Sequence, residues 1–325
     1  MRTLTNIHDV PLILAVWLLN DEYDYVQDNN YISATSILKP LKSIILSKRV
    51  MCDESLNVTY DIADLVASKF GTGIHDSVEK AWTTNYKKAL QLLKVSGKSI
   101  ENVKINPTKE ELTKDTIPVY IEQRLIKEFK DLGYKIGGKF DFVVDGALND
   151  IKTTSVYTYI NDSKKDDYIA QGSIYRWLNP ELITEDTIKI NFVFTDWSKA
   201  KSQYTEGYPS SRIAHRSYKL WSLEETEDFI RNKIKDIIKY TNEPEDNMPR
   251  CTDEELWRSE TSYKYYSGTD TSGRCSKRFD SMEEALKHKV TKGKGTIVME
   301  PGKVNRCLYC SAAPICKQRL EYFEE

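Results

Sequence analysis

The residues most able to do chemistry are two aspartates and a lysine in the segment 138–152, Gly-Lys-Phe-Asp-Phe-Val-Val-Asp-Gly-Ala-Leu-Asn-Asp-Ile-Lys. Asp145-Gly146 is a strong signal for a two-residue hairpin turn between alternating strands. If it forms the turn, residue 144 pairs with 147, and counting back places Asp141 opposite Asp150. Two carboxylates opposed at ~4.5–5.5 Å repel each other unless a cation lies between them. The spacing therefore predicts a divalent-metal site.

Lys152 extends this site along the same strand. Residues two apart on a strand share a face, so Asp150 and Lys152 point the same way, while Ile151 points into the core and leaves its carbonyl near the metal. Oxygen ligands at this density suit Mg²⁺ or Mn²⁺. An ammonium there can orient an attacking water or stabilise charge on a scissile phosphate. A solvated Asp-Lys pair on a surface hairpin is the alternative, and for this short motif alone it is the commoner outcome.

Two predicted helices carry further polar pairs. His75 and Glu79 are one helical turn apart, which offers an imidazole to a metal, although a helical histidine is more often structural. Gln171 and Tyr175 share another helix face and could hold a phosphate or position Lys152. A polar helix edge beside a core tyrosine is the plainer interpretation of that second pair.

The order of these motifs resembles the RecB-type exonuclease branch of the PD-(D/E)xK nuclease superfamily. The matching motifs span about residues 70–180: G-x-x-x-H ending at His75, G-x-x-D at Asp141, D-I-K at Asp150 to Lys152, and Q-x-x-x-Y from Gln171 to Tyr175. Asp150 stands where the commoner residue is glutamate, and the second motif lacks a preceding proline, as is usual in this branch.

The resemblance implies an α/β fold, a mixed central sheet flanked by helices with a restriction-endonuclease-like core. It also implies Mg²⁺ or Mn²⁺ bound by His75, Asp141 and Asp150, and phosphodiester hydrolysis by a metal-activated water. Lys152 matches the catalytic lysine of the family, and Gln171 and Tyr175 match its fourth motif.

A second group of candidate ligands lies near the C-terminus, where Cys307, Cys310 and Cys316 fall within ten residues. This spacing suits one metal centre better than a disulfide. A fourth ligand is needed, and Cys52, Cys251 and Cys275 compete for it; spacing alone leaves the choice open.

This cysteine tail resembles the iron-sulfur staple of AddB-like and CRISPR-associated RecB-type nucleases, in which a distant cysteine completes a [4Fe-4S] cluster. Those relatives take that cysteine from before the core, which favours Cys52. Phage-borne nucleases with a similar tail carry P-x-C-T-x-E-E-x-W, matched here by residues 249–257. The second match favours Cys251, and structural Zn²⁺ is the competing occupant.

Composition and charge bound the class of protein. The chain has 325 residues, 40% hydrophobic and 30% charged, with 14 Gly and 10 Pro, which excludes disordered and fibrous classes. A net charge of -2 gives no chain-wide field for nucleic acid, so a DNA-binding surface must be a local basic groove.

An apolar stretch, Val10 to Leu19, imitates a signal sequence. Asp9 precedes it, no small-residue cleavage site follows, and it is too short to span a bilayer. It predicts instead a buried helix with Asp9 as N-cap and Pro11 in the first turn. We therefore expect a cytoplasmic protein with no membrane partner, whose cysteines are better suited to metal than to disulfides.

Periodicity and turn signals divide the chain into three expected regions. They are an N-terminal helical segment (1–60), a nuclease core (61–220), and a helical, iron-sulfur-stapled C-terminal region (221–325). The predicted elements are a helix over 61–94, a loop from Lys104 to Ile117, a short helix from Glu122 to Leu132, a hairpin over 138–153, a helix over 166–178, a strand over 188–194, a loop over 198–219, and a helix to about Tyr240 opened by a capping box at Ser222 and Glu225.

Together these features predict a metal-dependent DNA nuclease, an exonuclease acting on single strands or duplex ends, with recombination or replication proteins as partners. Tyr204, Tyr208 and Arg212 could line a strand, although a solvated loop is the commoner outcome. One alternative is a structure-specific endonuclease or resolvase on the same core. Another is a non-catalytic DNA-binding assembly protein, against which the intact Asp141, Asp150 and Lys152 argue.

Overall fold

The computed structural model describes residues 2–323 and divides into two compact units. The first comprises the chain up to Leu38 together with Asn57–Asp236, and the second comprises Lys39–Leu56 and the chain from Ile237 onward. Each unit is described by itself. The three-region division expected from the sequence remains a prediction.

The elements of the described chain follow in order. The strands are β1 (Arg2–Thr5), β2 (Tyr31–Ser33), β3 (Val58–Asp61), β4 (Val103–Ile105), β5 (Ile117–Phe129), β6 (Tyr134–Val144), β7 (Ala147–Thr154), β8 (Thr187–Phe194), β9 (Ile213–Lys219), β10 (Ser262–Tyr266), β11 (Lys277–Phe279) and β12 (Thr296–Glu300). The α-helices are α1 (Leu12–Leu19), α2 (Leu41–Cys52), α3 (Val66–Thr84), α4 (Tyr86–Leu92), α5 (Gly97–Asn102), α6 (Val156–Ile160), α7 (Lys165–Leu178), α8 (Lys199–Tyr204), α9 (Leu223–Tyr240), α10 (Met282–Lys292) and α11 (Lys317–Leu320).

A seven-stranded mixed sheet forms the centre of the first unit, in the order β4-β5-β6-β7-β8-β9, with β2 added beside β6. Ile151 packs in a cluster with Ile74 and Trp82 of α3, whereas its neighbour Asp150 contacts α7. Successive residues of a strand point to opposite faces, so α3 and α7 lie on opposite faces of the sheet. The predicted α/β class, a mixed sheet flanked by helices, is confirmed.

The hairpin between β6 and β7 has the predicted turn. Val144 pairs with Ala147, and Asp145 and Gly146 have φ of 48° and 80°. Positive φ at both central residues is the mark of a type I′ turn, which matches the twist of the two strands. The local sequence therefore sets the register of this hairpin.

Soon after the turn, β7 separates from β6. The ladder between them ends at Phe142 and Asn149, and β7 continues beside β8. Strand β5 occupies one edge of β6 along almost its whole length. Strand β2 therefore pairs with residues 135–137 on the other edge of β6, which β7 also uses. Residues 138–141 of β6 consequently have no partner strand on this side, and Asp141 lies at the end of that gap.

Strand β5 replaces the helix predicted from Glu122 to Leu132, so that prediction was wrong. Pairing with β6 along almost the whole strand outweighs the helical propensity of this charged segment. Glu122 has a φ of 52°, and the ladder skips the position where it faces Asp141.

Side-chain alternation changes across this irregular position. A Cβ at Gly138 would lie 2.7 Å from Tyr175 of α7, yet Phe142 packs on Trp82 of α3. In a regular strand residues 138 and 142 would share a face. The regular alternation of side chains is therefore broken at Glu122 and Asp141, and the side chains there point in directions that a regular sheet would not allow.

Several other predictions are confirmed. The helix expected over 61–94 corresponds to α3 and α4 after a short 3₁₀ turn, the helix over 166–178 to α7, and the strand over 188–194 to β8. The backbone N–H of Ser222 donates to Glu225 Oε2 and that of Glu225 to Ser222 Oγ, the predicted capping box at the start of α9.

Two further predictions were wrong. The expected loop over 198–219 contains α8 and β9, and β9 forms because it pairs antiparallel with β8. Helix α1 begins after Pro11 and not at Asp9, and only Leu18 among its residues is buried. Its apolarity indicated a core helix, but the described structure leaves most of it exposed.

The second unit contains a three-stranded antiparallel sheet, β11-β10-β12, against which α10 packs. Ile45 and Leu46 of α2 form a small core with Met248 and Ala312. Among the described residues of the whole chain, no helix combines the length and apolarity needed to cross a membrane.

Candidate active site

Asp141 sits where β6 and β7 separate. Its Oδ2 accepts a 2.8 Å hydrogen bond from the backbone N–H of Ile151, a donor that the ladder between the two strands would otherwise use. The side chain is almost fully buried. Strand separation thus places one carboxylate against a backbone N–H that is no longer used between the strands.

Asp150 is the most deeply buried carboxylate of the site, with 1% of the residue exposed. Lys152 Nζ lies 2.7 Å from its Oδ2 and forms an ion pair with it. Burial raises the pKa of Asp150 to about 6; the Lys152 charge opposes this shift and the Asp141 charge adds to it.

Lys152 is held by two residues of α7. Its Nζ donates to Gln171 Oε1 at 3.1 Å, and Gln171 Nε2 donates to Tyr175 Oη at 2.9 Å and lies 3.4 Å from Asp150 Oδ1. Burial opposes protonation of Lys152, but the Asp150 charge outweighs it and raises the pKa of Lys152. The chain of contacts keeps a charged ammonium beside Asp150.

His75 reaches the same site from α3. Its Nδ1 lies 3.4 Å from Asp141 Oδ2, and its Nε2 lies 3.0 Å from the Ile151 carbonyl oxygen. Burial lowers the pKa of His75, but the hydrogen bond and charge of Asp141 outweigh that effect and the pKa is raised. The imidazole and the Ile151 carbonyl, both predicted as metal ligands, are therefore adjacent.

Glu122 is a residue of the site that the sequence analysis missed. One ligand atom each from His75, Glu122 and Asp141 lies within 4.8 Å of the others. Burial raises the pKa of Glu122, and its carboxylate pairs with Lys139 of β6. Nothing in the local sequence signals this role, because it arises from pairing between β5 and β6.

We call Glu122, Asp141 and Asp150, which lie on three adjacent strands, the carboxylate gap. Among the described residues, the group of side chains close enough to share one ion is His75, Glu122 and Asp141; Asp150 lies beside this group and is not part of it. Hard oxygen ligands with a single nitrogen suit Mg²⁺ or Mn²⁺. Burial raises the pKa values of Asp150 and Glu122, which means that their charged forms are disfavoured, and a nearby cation would offset this cost.

Four of the six cysteines, Cys251, Cys307, Cys310 and Cys316, line one cavity in the second unit; we call it the thiol cavity. Cys52 is exposed, and neither it nor Cys275 lines this cavity. Among the described residues, no three cysteine sulfur atoms lie within 4.8 Å of one another. One tetrahedral zinc ion, with Zn–S bonds of ~2.3 Å, needs its sulfurs closer than that.

Burial favours the protonated form of three thiols of this cavity, Cys251, Cys307 and Cys316. Burial, followed by the charges of Glu255, Cys316 and Cys310, raises the pKa of Cys251 to about 12, and burial also raises the pKa of Cys307 and of Cys316. Lys42, 4% exposed, lines the same cavity. A metal bound there must displace protons from the thiols.

The polar segment expected to contact DNA is mostly engaged in its own structure. Tyr208 Oη accepts from the Ser198 N–H, and Arg212 donates to the carbonyls of Phe194 and Trp197. Tyr204 is exposed. Only Tyr204 of these three thus presents an unengaged side chain.

Comparison with known proteins gives little. No protein-family model and no curated protein matches the chain. Several solved structures resemble it in part, among them the following two. A protein named SSO0001 gives a TM-score of 0.40 at 16% identity, covering 74% of this chain and 89% of that one. A phage-related exonuclease from Haemophilus somnus 129PT gives a TM-score of 0.26 at 18% identity, covering 38% of this chain and 60% of that one.

Proposed function

We propose that the chain is a divalent-metal-dependent nuclease that hydrolyses phosphodiester bonds of DNA. The observation that carries this proposal is the convergence of His75, Asp141, Asp150 and Lys152 at the point where β6 and β7 separate. Carboxylates, an imidazole and an ammonium in one partly buried site match the needs of phosphoryl transfer to water.

His75, Asp141, Asp150 and the Ile151 carbonyl are the proposed ligands of Mg²⁺ or Mn²⁺, and Glu122 is positioned to join them. When bound, the metal supplies positive charge that polarises the phosphate and lowers the pKa of water. Asp150 must be ionised to bind it, and the nearby Lys152 favours that state.

Lys152 carries a proton at Nζ that can donate to a phosphate oxygen as negative charge develops there. Its raised pKa keeps it charged at neutral pH. Gln171 fixes its direction, and Tyr175 in turn fixes Gln171. These two are positioning residues, and the pre-set donor lowers the barrier because little reorganisation is needed.

We infer further that the thiol cavity holds a [4Fe-4S] cluster with Cys251 as the fourth ligand. The support is that four thiols, those of Cys251, Cys307, Cys310 and Cys316, line one cavity. Cluster irons spread their cysteine ligands more widely than one zinc does. Zn²⁺ would require the thiols to close in.

The nuclease proposal is tested with DNA labelled at the 5′ end, labelled at the 3′ end, or circular, in Mg²⁺, Mn²⁺ or EDTA. We expect mononucleotides or short products from linear DNA, none in EDTA, and resistance of the circle, as for an exonuclease. Cleavage of the circle would instead support the endonuclease or resolvase. Binding without any cleavage in either metal would support the non-catalytic assembly protein.

A further inference from the structure

Arg124 of β5 is a mostly buried cation, and two of its three side-chain nitrogens make no hydrogen bond. Only 14% of its side chain is exposed, and its Nε and Nη2 atoms are buried with no hydrogen-bond partner. Buried N–H groups of a charged guanidinium are costly to leave unpaired. Such an arrangement indicates that an acceptor from outside the chain completes it.

The surroundings of Arg124 select an anion. Lys139 pairs with it across the β5–β6 ladder, so two cations lie side by side. The Tyr23 ring covers both, with its centroid 5.4 Å from Arg124 Cζ and 5.5 Å from Lys139 Nζ. Two adjacent cations with one ring suit a phosphate and the sugar or base that follows it.

Asp24, the carboxylate that forms an ion pair with Arg124, is a weak partner. Asp24 Oδ2 lies 4.0 Å from Nη2, beyond hydrogen-bond distance, and its side chain is 85% exposed. An ion pair this exposed contributes little. Asp24 therefore lies where an incoming anion would approach Arg124, and a phosphate that binds Arg124 more strongly can displace it.

This cation pair adjoins the carboxylate gap. Glu122 is two residues before Arg124 on β5, and Lys139 pairs with Glu122 as well as lying opposite Arg124. If Arg124 holds one phosphate of a nucleic-acid strand, a neighbouring phosphate of the same strand would reach the carboxylate gap.

We propose that Arg124 and Lys139 form a phosphate-binding site for the nucleic-acid strand beside the carboxylate gap. This inference rests on the proposed function for its ligand. A planar guanidinium offers two parallel N–H donors to phosphate oxygens, and Lys139 adds a second charge. The phosphate is either internal to the strand or terminal.

The test measures binding of fluorescent single strands carrying a 5′-phosphate, a 3′-phosphate or neither, by anisotropy in EDTA at several KCl concentrations. Arg124→Gln should bind roughly tenfold more weakly, with a salt slope shallower by ~0.7. Arg124→Lys should keep the wild-type salt dependence, because the positive charge remains, but it should bind more weakly, because the two parallel N–H donors of the guanidinium are lost. Asp24→Asn should bind more tightly than wild type.

The matched control is Arg231→Gln, because Arg231 is already paired with Glu227 at 2.9 Å and Asp131 at 2.8 Å. It should bind every strand as wild type does. A loss confined to one phosphorylated end identifies a terminal phosphate, and an equal loss on all three strands identifies an internal one; both support the site.

A second measurement separates this inference from the nuclease proposal. Inorganic phosphate, compared with chloride at equal ionic strength, should raise the melting temperature of wild type but not of Arg124→Gln. If wild type cleaves no DNA but shows this response, the proposed function fails and the phosphate site stands. Wild-type affinity, salt slope and phosphate response in both Arg124 variants would overturn the inference.

Discussion

The carboxylate gap and the thiol cavity are two sets of potential metal ligands prepared in different ways. In the gap, charged groups already have charged neighbours, since Asp150 lies against Lys152 and Glu122 against Lys139. In the cavity, burial keeps Cys251, Cys307 and Cys316 protonated. The first arrangement suits an exchangeable ion that takes part in chemistry, and the second suits a permanent group that stabilises the fold.

The largest expected difference between the carboxylate gap and the thiol cavity is in the rate of DNA cleavage. Asp150→Asn or Lys152→Ala should each lower the cleavage rate by about a thousandfold or more, because a metal charge or a pre-set donor is lost from the transition state. DNA binding and the fold should largely persist. Single-turnover kinetics would measure this.

The controls for activity are Asp166→Asn and Lys165→Ala, which change exposed residues of α7. Both should cleave at the wild-type rate. Wild-type cleavage by either active-site variant would remove that residue from the mechanism.

The thiol cavity should respond in colour and stability. Protein purified without oxygen should be brown and contain iron and sulfide, and Cys251→Ser should lose both and melt at a lower temperature, since bound metal contributes to folding. Cys307, Cys310 and Cys316 should each be required in the same way. Absorbance, elemental analysis and thermal melts measure these effects.

Cys275→Ser and Cys52→Ser are the matched controls, since neither thiol lines the cavity. Both should keep the cluster. Stoichiometric zinc without iron would exclude the iron-sulfur proposal and leave the nuclease proposal standing. Loss of the cluster in Cys52→Ser but not in Cys251→Ser would show that the fourth ligand is misassigned.

Loss of one ligand in the gap should have a smaller effect. His75→Ala should raise the Mg²⁺ concentration needed for half-maximal cleavage by roughly 10–100-fold, the scale of altered metal shells. Glu122→Gln should shift it in the same direction. Exposed His215 provides the control variant His215→Ala; an unchanged metal requirement in His75→Ala would return that histidine to a structural role.

The smallest predicted effect is on pH dependence. Because burial raises the pKa of Asp150 to about 6, its contribution to stability is fully present below its unfolded value near 3.8 and is lost as pH rises through 6. Mg²⁺ compensates the ionised carboxylate, so the rise in melting temperature that it causes should be small at pH 5 and larger at pH 7.5. Asp150→Asn should flatten this dependence, and a pH-independent Mg²⁺ effect in wild type would contradict the account.

How much of this could be predicted depends on how local each signal is. The turn at Asp145-Gly146 is set by two adjacent residues, and the register that follows from it is confirmed from Val144 and Ala147 to Phe142 and Asn149; the ladder ends before the predicted pair of Asp141 and Asp150. The order of motifs from His75 to Tyr175 indicated which residues to examine, and the structure brings His75, Asp141, Asp150 and Lys152 together.

Non-local features escaped the sequence. The sequence predicts a helix from Glu122 to Leu132, whereas pairing with β6 decides the conformation of Glu122. The separation of β7 from β6, which creates the gap, accompanies the pairing of β2 with β6 and of β8 with β7, and these contacts lie between segments far apart in the sequence. The exposure of α1 could not be predicted from its apolarity, since a run of apolar residues does not specify its surroundings.

The most direct test of the central claim is a crystal structure of the protein with Mn²⁺ and a short DNA strand, with anomalous differences recorded for manganese. The account predicts an anomalous peak bonded to Asp141, Asp150, His75 and the Ile151 carbonyl, with Lys152 beside a phosphate oxygen. Manganese bound elsewhere, or a carboxylate gap that stays empty while DNA is bound, would contradict it.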